Sequence, residues 1–239
     1  MVSEIMLQQT QVDRVIPKFL AFMDKFPKVT DLAEAPQSEV LKLWSGLGYN
    51  RRARFLHLAA QTIVKKYQGN IPSTLPELIS IPGIGPYTSS AILAFAYNRP
   101  LSVIETNIRT VYIHHFFPDH ESVSDAQLLP LIAITVDTDN PRRWYAALMD
   151  YGAHLKTTVG NLTQKSKTYA KQSKFAGSNR QLRGAILKEL TKKSPQSLLS
   201  LTKALIKTHH ADKEKVREVF EQLETEQLVA VTKSTASLL

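Results

Sequence analysis

The sequence predicts an all-α protein. Apolar residues recur at helical spacing through most of the first 155 residues, and no convincing strand appears before residue 225. A third observation gives the chain a centre: Leu78-Ile79-Ser80-Ile81-Pro82-Gly83-Ile84-Gly85-Pro86-Tyr87-Thr88 lies between two helical stretches. Gly83 and Gly85 can take backbone angles that a Cβ would forbid, so the turn can be tight and open at its surface. Pro86 suits a first helical position, where its missing N–H costs nothing. The helix that follows points its first N–H groups at the space in front of the turn, and a phosphate fits there.

The elements follow in order. Ser3 can cap a helix with Glu4 in its first turn. Val12, Val15, Phe19, Phe22 and Phe26 then keep helical spacing, with Pro17 marking a kink or a fresh start. Pro27 and Pro36 bracket a short helix. Ser38–Leu47 is amphipathic and ends at Gly46 and Gly48. Residues 51–66 form a helix with Ala53, Leu56, Ala59, Ala60, Ile63 and Val64 inward. Residues 75–80 and 87–97 are the two hairpin helices. Stretches 107–117, 125–136 and 141–155 continue the pattern. Residues 156–178 lack apolar periodicity and are rich in Lys, Gln, Ser and Thr, so they read as a basic loop. Three short helical patterns follow, about 180–192, 197–208 and 212–225. With Leu228-Val229-Ala230-Val231-Thr232 and an apparent hairpin, they resemble a winged helix; a helical tail packed on the main domain is the alternative. The expected division is 1–155 as a core, 156–179 as a linker and 180–239 as a C-terminal segment.

Composition narrows the class. There is no cysteine among the 239 residues, which excludes disulfides, thiol catalysis and cysteine-held clusters. No apolar run reaches the length of a membrane span and no leader opens the chain, so a soluble protein of the cytoplasm, working at the nucleoid without a membrane, is expected. The seven histidines form no metal-ligand pattern, and neither metal nor cofactor is expected. The net charge of +9 is uneven: residues 1–155 and 194–239 are each neutral, and residues 156–193 carry ten basic side chains and one acid, Glu189. Beside a turn built for phosphate, that segment predicts a polyanionic partner.

Four motifs in order now carry a resemblance: Val2-Ser3-Glu4-Ile5-Met6-Leu7-Gln8-Gln9-Thr10-Gln11-Val12, Leu43-Trp44-Ser45-Gly46-Leu47-Gly48-Tyr49, the Pro-Gly-Ile-Gly hairpin with Glu105 eighteen residues beyond Tyr87, and Met149-Asp150-Tyr151-Gly152-Ala153. Over residues 1–155 the sequence resembles the helix-hairpin-helix, Gly-Pro-Asp (HhH-GPD) DNA glycosylases, and within them the MutY-type adenine glycosylases. The resemblance implies a two-lobed fold and base-excision repair of duplex DNA containing a damaged or mismatched base. It implies a monofunctional enzyme, with adenine the favoured base. Thymine or uracil mispaired with guanine, deaminated purines, and a non-catalytic DNA-binding protein on the same fold are the alternatives. A monomer is expected.

The resemblance also implies roles. Glu4 would be the general acid that protonates the departing base; the alternative is a helix-start glutamate favoured by the macrodipole. Glu105 stands where the family has its namesake aspartate, and would stabilise the sugar cation left behind. Its stem is one methylene longer, a departure from the pattern. Asn107 would orient Glu105 or the base; simple capping of a helix near Asn107 is the alternative for both. Tyr87 occupies the place where bifunctional members carry a Schiff-base lysine, and a phenol cannot form one. Gln8 and Gln9 would enter the duplex where the base leaves it. Tyr49 and Asn50 would stand beside the opposing base, although the family reads Tyr-Tyr there. Arg51 and Arg52, Gly83, Gly85 and Thr88 of the hairpin, and Lys165, Lys167 and Lys171 of the basic segment would hold the DNA backbone. Two family features are absent: four cysteines that would begin near Lys156, and a C-terminal domain that reads 8-oxoguanine.

Overall fold

The computed structural model describes residues 1–171 and 174–239. Gln172 and Ser173, inside the expected linker, lie outside the described residues. The chain divides into two compact units, one of residues 2–71, 81–83 and 173–239, the other of Met1, 72–80 and 84–172. Among the described residues no helix is long and apolar enough to cross a membrane.

The first unit opens with α1 (Val2–Leu7), α2 (Val12–Lys25), α3 (Val29–Glu34), α4 (Gln37–Trp44) and α5 (Arg51–Tyr67). Two expectations change here. Ser3 lies within α1 instead of capping it, and α2 runs through Pro17 without a break. The core gathers the apolar stripes of α2, α4 and α5. Phe22 meets Phe26 and Trp44 edge to face at centroid distances of 5.0 and 6.4 Å. Ala53, Leu56, Ala59, Ala60 and Ile63 are fully buried along α5, so one face of that helix lies on the core.

The rest of this unit is α11 (Asn179–Lys192), β1 (Gln196–Ser197), α12 (Leu198–His209), α13 (Lys213–Thr225), β2 (Val229–Val231) and β3 (Thr235–Leu238). The strands form an antiparallel sheet in the order β1-β3-β2, the arrangement of a winged helix. Strand β1 precedes residue 225, where none was expected. Two residues are too few to show alternation, and their pairing is made by β3. Ser178, Ser197 and Asp212 cap α11, α12 and α13 through their side chains. Leu182, Ile186, Leu190, Val216, Val219, Leu223, Leu228 and Ala236 fill the small core. Gln37 Nε2 donates to the Gln227 carbonyl at 2.6 Å, which ties this segment to α4.

The second unit holds α6 (Leu75–Ile79), α7 (Pro86–Tyr97), α8 (Thr106–Phe116), α9 (Asp125–Thr135) and α10 (Pro141–Thr158), then a 3-10 turn over Leu162–Lys165. Its core runs from Ala91 and Ala94 through Ile108, Val111 and Tyr112 to Leu128, Ile132, Tyr145 and Leu155. Helix α10 continues past Leu155 into the stretch read as a loop, and the 3-10 turn after it is pinned. Val123 N–H donates to the Lys165 carbonyl at 2.7 Å and Lys167 N–H to the Val123 carbonyl at 2.9 Å. Leu162 packs on the core, and Thr163 and Ser166 are buried.

Candidate active site and nucleic-acid interface

In the second unit the site is built at the start of α8. Glu105 is the N-cap, and its Oε1 accepts from the N–H groups of Asn107 at 2.6 Å and Ile108 at 2.7 Å. Glutamate is not among the favoured caps, and here the longer stem reaches two of the orphan donors at once. Glu105 therefore caps the helix, and Asn107 lies inside it. The cap leaves Oε2 without a hydrogen bond to any described residue. Burial pushes the Glu105 carboxyl up from its ordinary pKa, against the pull of the two N–H groups and of the Lys156 and Arg109 cations.

Three features hold that carboxylate in place. The buried Tyr145 hydroxyl donates to the Leu101 carbonyl at 2.7 Å and accepts from Val103 N–H at 3.2 Å, which ties down the run into Glu105. Arg109, one turn along α8, makes a bidentate pair with Asp125 at 2.7 and 2.8 Å. A Cβ on Gly152 would lie 2.2 Å from the Asn107 carbonyl oxygen, so α10 and the first turn of α8 touch backbone to backbone there. Tyr87, in the first turn of α7, packs on the same core, and its phenol is within electrostatic range of Arg109. The structure thus brings Tyr87, Glu105 and Asn107 together. Sequence reasoning missed Arg109 and the Tyr145 hydroxyl, and treated Lys156 only as part of a basic run. The position of Arg109, four residues after Glu105 on one helix, was the available signal.

The hairpin needs two corrections. Gly83 has φ +79°, and a Cβ there would meet Phe55 Cβ at 2.5 Å, so glycine is required. Gly85 has φ −88° and ψ 178°, open to any residue, with nothing within 4 Å of an added Cβ. Its lack of a side chain keeps the space before α7 clear. Thr88 is buried at 4% exposure, so its side chain is a core contact and not a DNA contact.

In the first unit α1 carries Glu4, half-buried, ahead of Gln8 and the exposed Gln9. Tyr49 is exposed and Asn50 precedes the first turn of α5. Arg51 is exposed beside the Phe55 ring, its guanidinium 5.6 Å from the centroid. Arg52 is the main correction here. Its guanidinium donates to the carbonyls of Ile5 at 2.7 Å, Met6 at 2.9 Å, Gln8 at 2.6 Å and Gly48 at 3.1 Å, and to Thr10 Oγ1 at 3.0 Å. Every donor is engaged inside the protein, so Arg52 is not a phosphate contact. Burial lowers its pKa to about 10, with the Tyr49 phenol opposing. Arg180 of α11 donates to the Tyr49 hydroxyl at 3.2 Å, and Arg183 pairs with Glu226.

Of the basic segment, Lys167 and Lys171 are exposed, as is Lys174. Lys165 donates to the Pro118 carbonyl at 2.7 Å. No group of three or more potential metal ligands occurs among the described residues.

Residues 2–129, more than half the chain, match the family described as HhH-GPD superfamily base excision DNA repair protein, and the chain belongs to that family. It is similar to the adenine DNA glycosylase of Buchnera aphidicola subsp. Baizongia pistaciae, 34% identical over 184 residues, covering 73% of this chain and 52% of that protein. The adenine DNA glycosylase of Mycolicibacterium smegmatis is 34% identical over 203 residues, covering 78% and 69%. The chain spans about half the length of the first of these relatives. Among solved structures, a thermostable thymine-DNA glycosylase matches with a TM-score of 0.56 and 24% identity, over 64% of this chain and 71% of that one. A non-covalent endonuclease III–DNA complex matches with a TM-score of 0.54 and 17% identity, over 64% and 70%. These two likenesses bear on the fold alone, which is that of the glycosylases.

Proposed function

We propose that this chain is a monofunctional DNA glycosylase of base-excision repair that releases adenine from mispaired or damaged duplex DNA. The observation that carries this reading is Glu105, a half-buried carboxylate with one oxygen held by the N–H groups at the start of α8. Family membership and the adenine-glycosylase relatives support it.

The chemistry follows from these side chains. The base leaves the stack, which costs a few kcal/mol and is easiest at a mispair. Glu4 gives a proton to a ring nitrogen of the base, and the N-glycosidic bond then breaks with its electron pair going to the base. The cation left on the sugar is stabilised by the Glu105 carboxylate. Water adds at C1′, its proton is lost, and an abasic site remains. Tyr87 offers no amine, so no Schiff base forms and the strand stays whole. The N–H groups at the start of α7 would receive a backbone phosphate, and Lys167 and Lys171 would meet others.

A panel of duplexes carrying adenine, thymine, uracil or hypoxanthine opposite guanine or 8-oxoguanine tests this reading. Each is incubated with protein and then treated with alkali. Strand breaks at adenine, only after alkali, are expected, with no adduct trapped by borohydride. Breaks at another base would reassign the substrate. Duplex binding with no break anywhere would make the chain a non-catalytic DNA-binding protein.

A further inference from the structure

Two residues of the DNA-facing segments, Gln9 with φ 55° and Tyr49 with φ 47°, have left-handed backbones. Gln9 stands just past the end of α1, where glycine is the usual occupant. Tyr49 precedes α5 and has no helix end to account for it. A side chain in this region is disfavoured and persists only where its surroundings over-determine it.

One guanidinium supplies those surroundings for both. Arg52 binds the Gln8 carbonyl at 2.6 Å and the Gly48 carbonyl at 3.1 Å, the peptide planes that lead into Gln9 and Tyr49. Its Nε also reaches the Tyr49 carbonyl at 3.4 Å, on the far side of that residue. Thr10 Oγ1, which Arg52 meets at 3.0 Å, donates in turn to Leu47 O at 3.3 Å and Gln8 O at 3.4 Å. The ring faces complete the clamp, with the guanidinium 5.3 Å from the Trp44 centroid and 5.5 Å from that of Tyr49. Fixing the plane on one side of a residue fixes one of its two dihedrals; fixing both planes fixes the residue. Lysine cannot do this, because three donors on a point charge cannot span acceptors around a flat fork.

We infer that Arg52 is a positioning residue that sets Gln9 and Tyr49 jointly in the geometry with which the two segments enter duplex DNA. It acts through those residues and touches no DNA itself. The inference rests on the glycosylase reading for its consequence in catalysis, and on the protein alone for its structural half.

The test uses the full chain with Arg52→Lys, and Thr10→Val as the milder variant if the first does not fold. In the free protein, the three-bond HN–Hα couplings of Gln9 and Tyr49 report their φ angles. Arg52→Lys should move both couplings together, and Thr10→Val should move them part of the way. On a duplex with 2-aminopurine beside the target adenine, the fluorescence rise on base extrusion should shrink. Single-turnover base release should fall by about tenfold to a hundredfold, the order expected for misplacement near 1 Å. The salt dependence of duplex affinity should stay as it was. Unchanged couplings, or a salt slope reduced by about one unit, the signature of a lost phosphate contact, would overturn the inference. If the unaltered protein released no base at all, the glycosylase reading would fail, and the couplings would still decide the structural role of Arg52.

Discussion

Glu105 serves two ends with two oxygens. Oε1 closes the start of α8, and in the proposed reaction the second oxygen would meet the sugar cation. The first use costs the second something, because burial disfavours the ionised form that a cation stabiliser needs. The pH consequence has a definite sign. With its folded pKa raised above the unfolded value, the group contributes stability that is fully present below the unfolded pKa and is lost as pH rises through the folded one. Glu105→Gln should therefore unfold at a higher temperature than the unaltered protein at pH 8, and the difference should vanish in acid, below the ordinary carboxylate range. Thermal unfolding of both proteins at both pH values checks this. Base release should be abolished in the same variant. In the unaltered protein, release should fall on the acid side at a pH above the ordinary glutamate pKa. The sequence marks Glu105 through its spacing from Tyr87. It does not mark Lys156 or Tyr145, because their effect on Glu105 arises only where α10 crosses α8. Arg52 misleads in the other direction: three arginines in four residues look like a phosphate patch, and no local pattern shows that one of them turns inward.

At the scale of elements, most helices were readable from apolar spacing and the start of α7 from Pro86, whereas Ser3, the cap read from the sequence, lies inside α1. What the spacing could not supply was closeness. Gly152 reads as one glycine in a helix, where alanine would be the better former by about 1 kcal/mol. In the folded chain its missing Cβ lets α10 rest on the Asn107 carbonyl. Gly152→Ala should thus reverse the propensity gain and cost a net 2 kcal/mol or so through overpacking. Because the obstacle is backbone, the first turn of α8 should shift with it, and base release should drop beyond what the loss of stability explains. Urea unfolding and single-turnover release measure the two effects. Gly85→Ala is the matched control. Its Cβ enters open space at an ordinary φ, so stability should hold while duplex affinity weakens.

The whole molecule keeps its excess charge in one segment and folds that segment without cysteine. The charge was readable; its disposition was not. Arg183 is committed to Glu226, and of the segment's lysines ahead of α11, Lys165 is committed to the Pro118 carbonyl and Lys156 to the field of Glu105, while Lys167, Lys171 and Lys174 are exposed. Changing those three to alanine should flatten the slope of log affinity against log salt by about two to three units. The loss should be equal on damaged and undamaged duplex, since phosphates carry no sequence information. Stability should barely move. The grouping of residues 179–239 with α1–α5 in one unit was likewise invisible in the sequence, because its links, such as Gln37 to Gln227 and Arg180 to Tyr49, join residues 190 and 131 positions apart.

The central claim is that this chain breaks an N-glycosidic bond with Glu4 as the proton donor. The most direct measurement is the time course of free adenine released from a duplex with adenine opposite 8-oxoguanine, under single-turnover conditions, by the unaltered protein and by Glu4→Gln. The account predicts stoichiometric free adenine and an intact abasic strand from the first. From Glu4→Gln it predicts no release above background, with duplex affinity nearly unchanged. Adenine released by Glu4→Gln at the unaltered rate would contradict it.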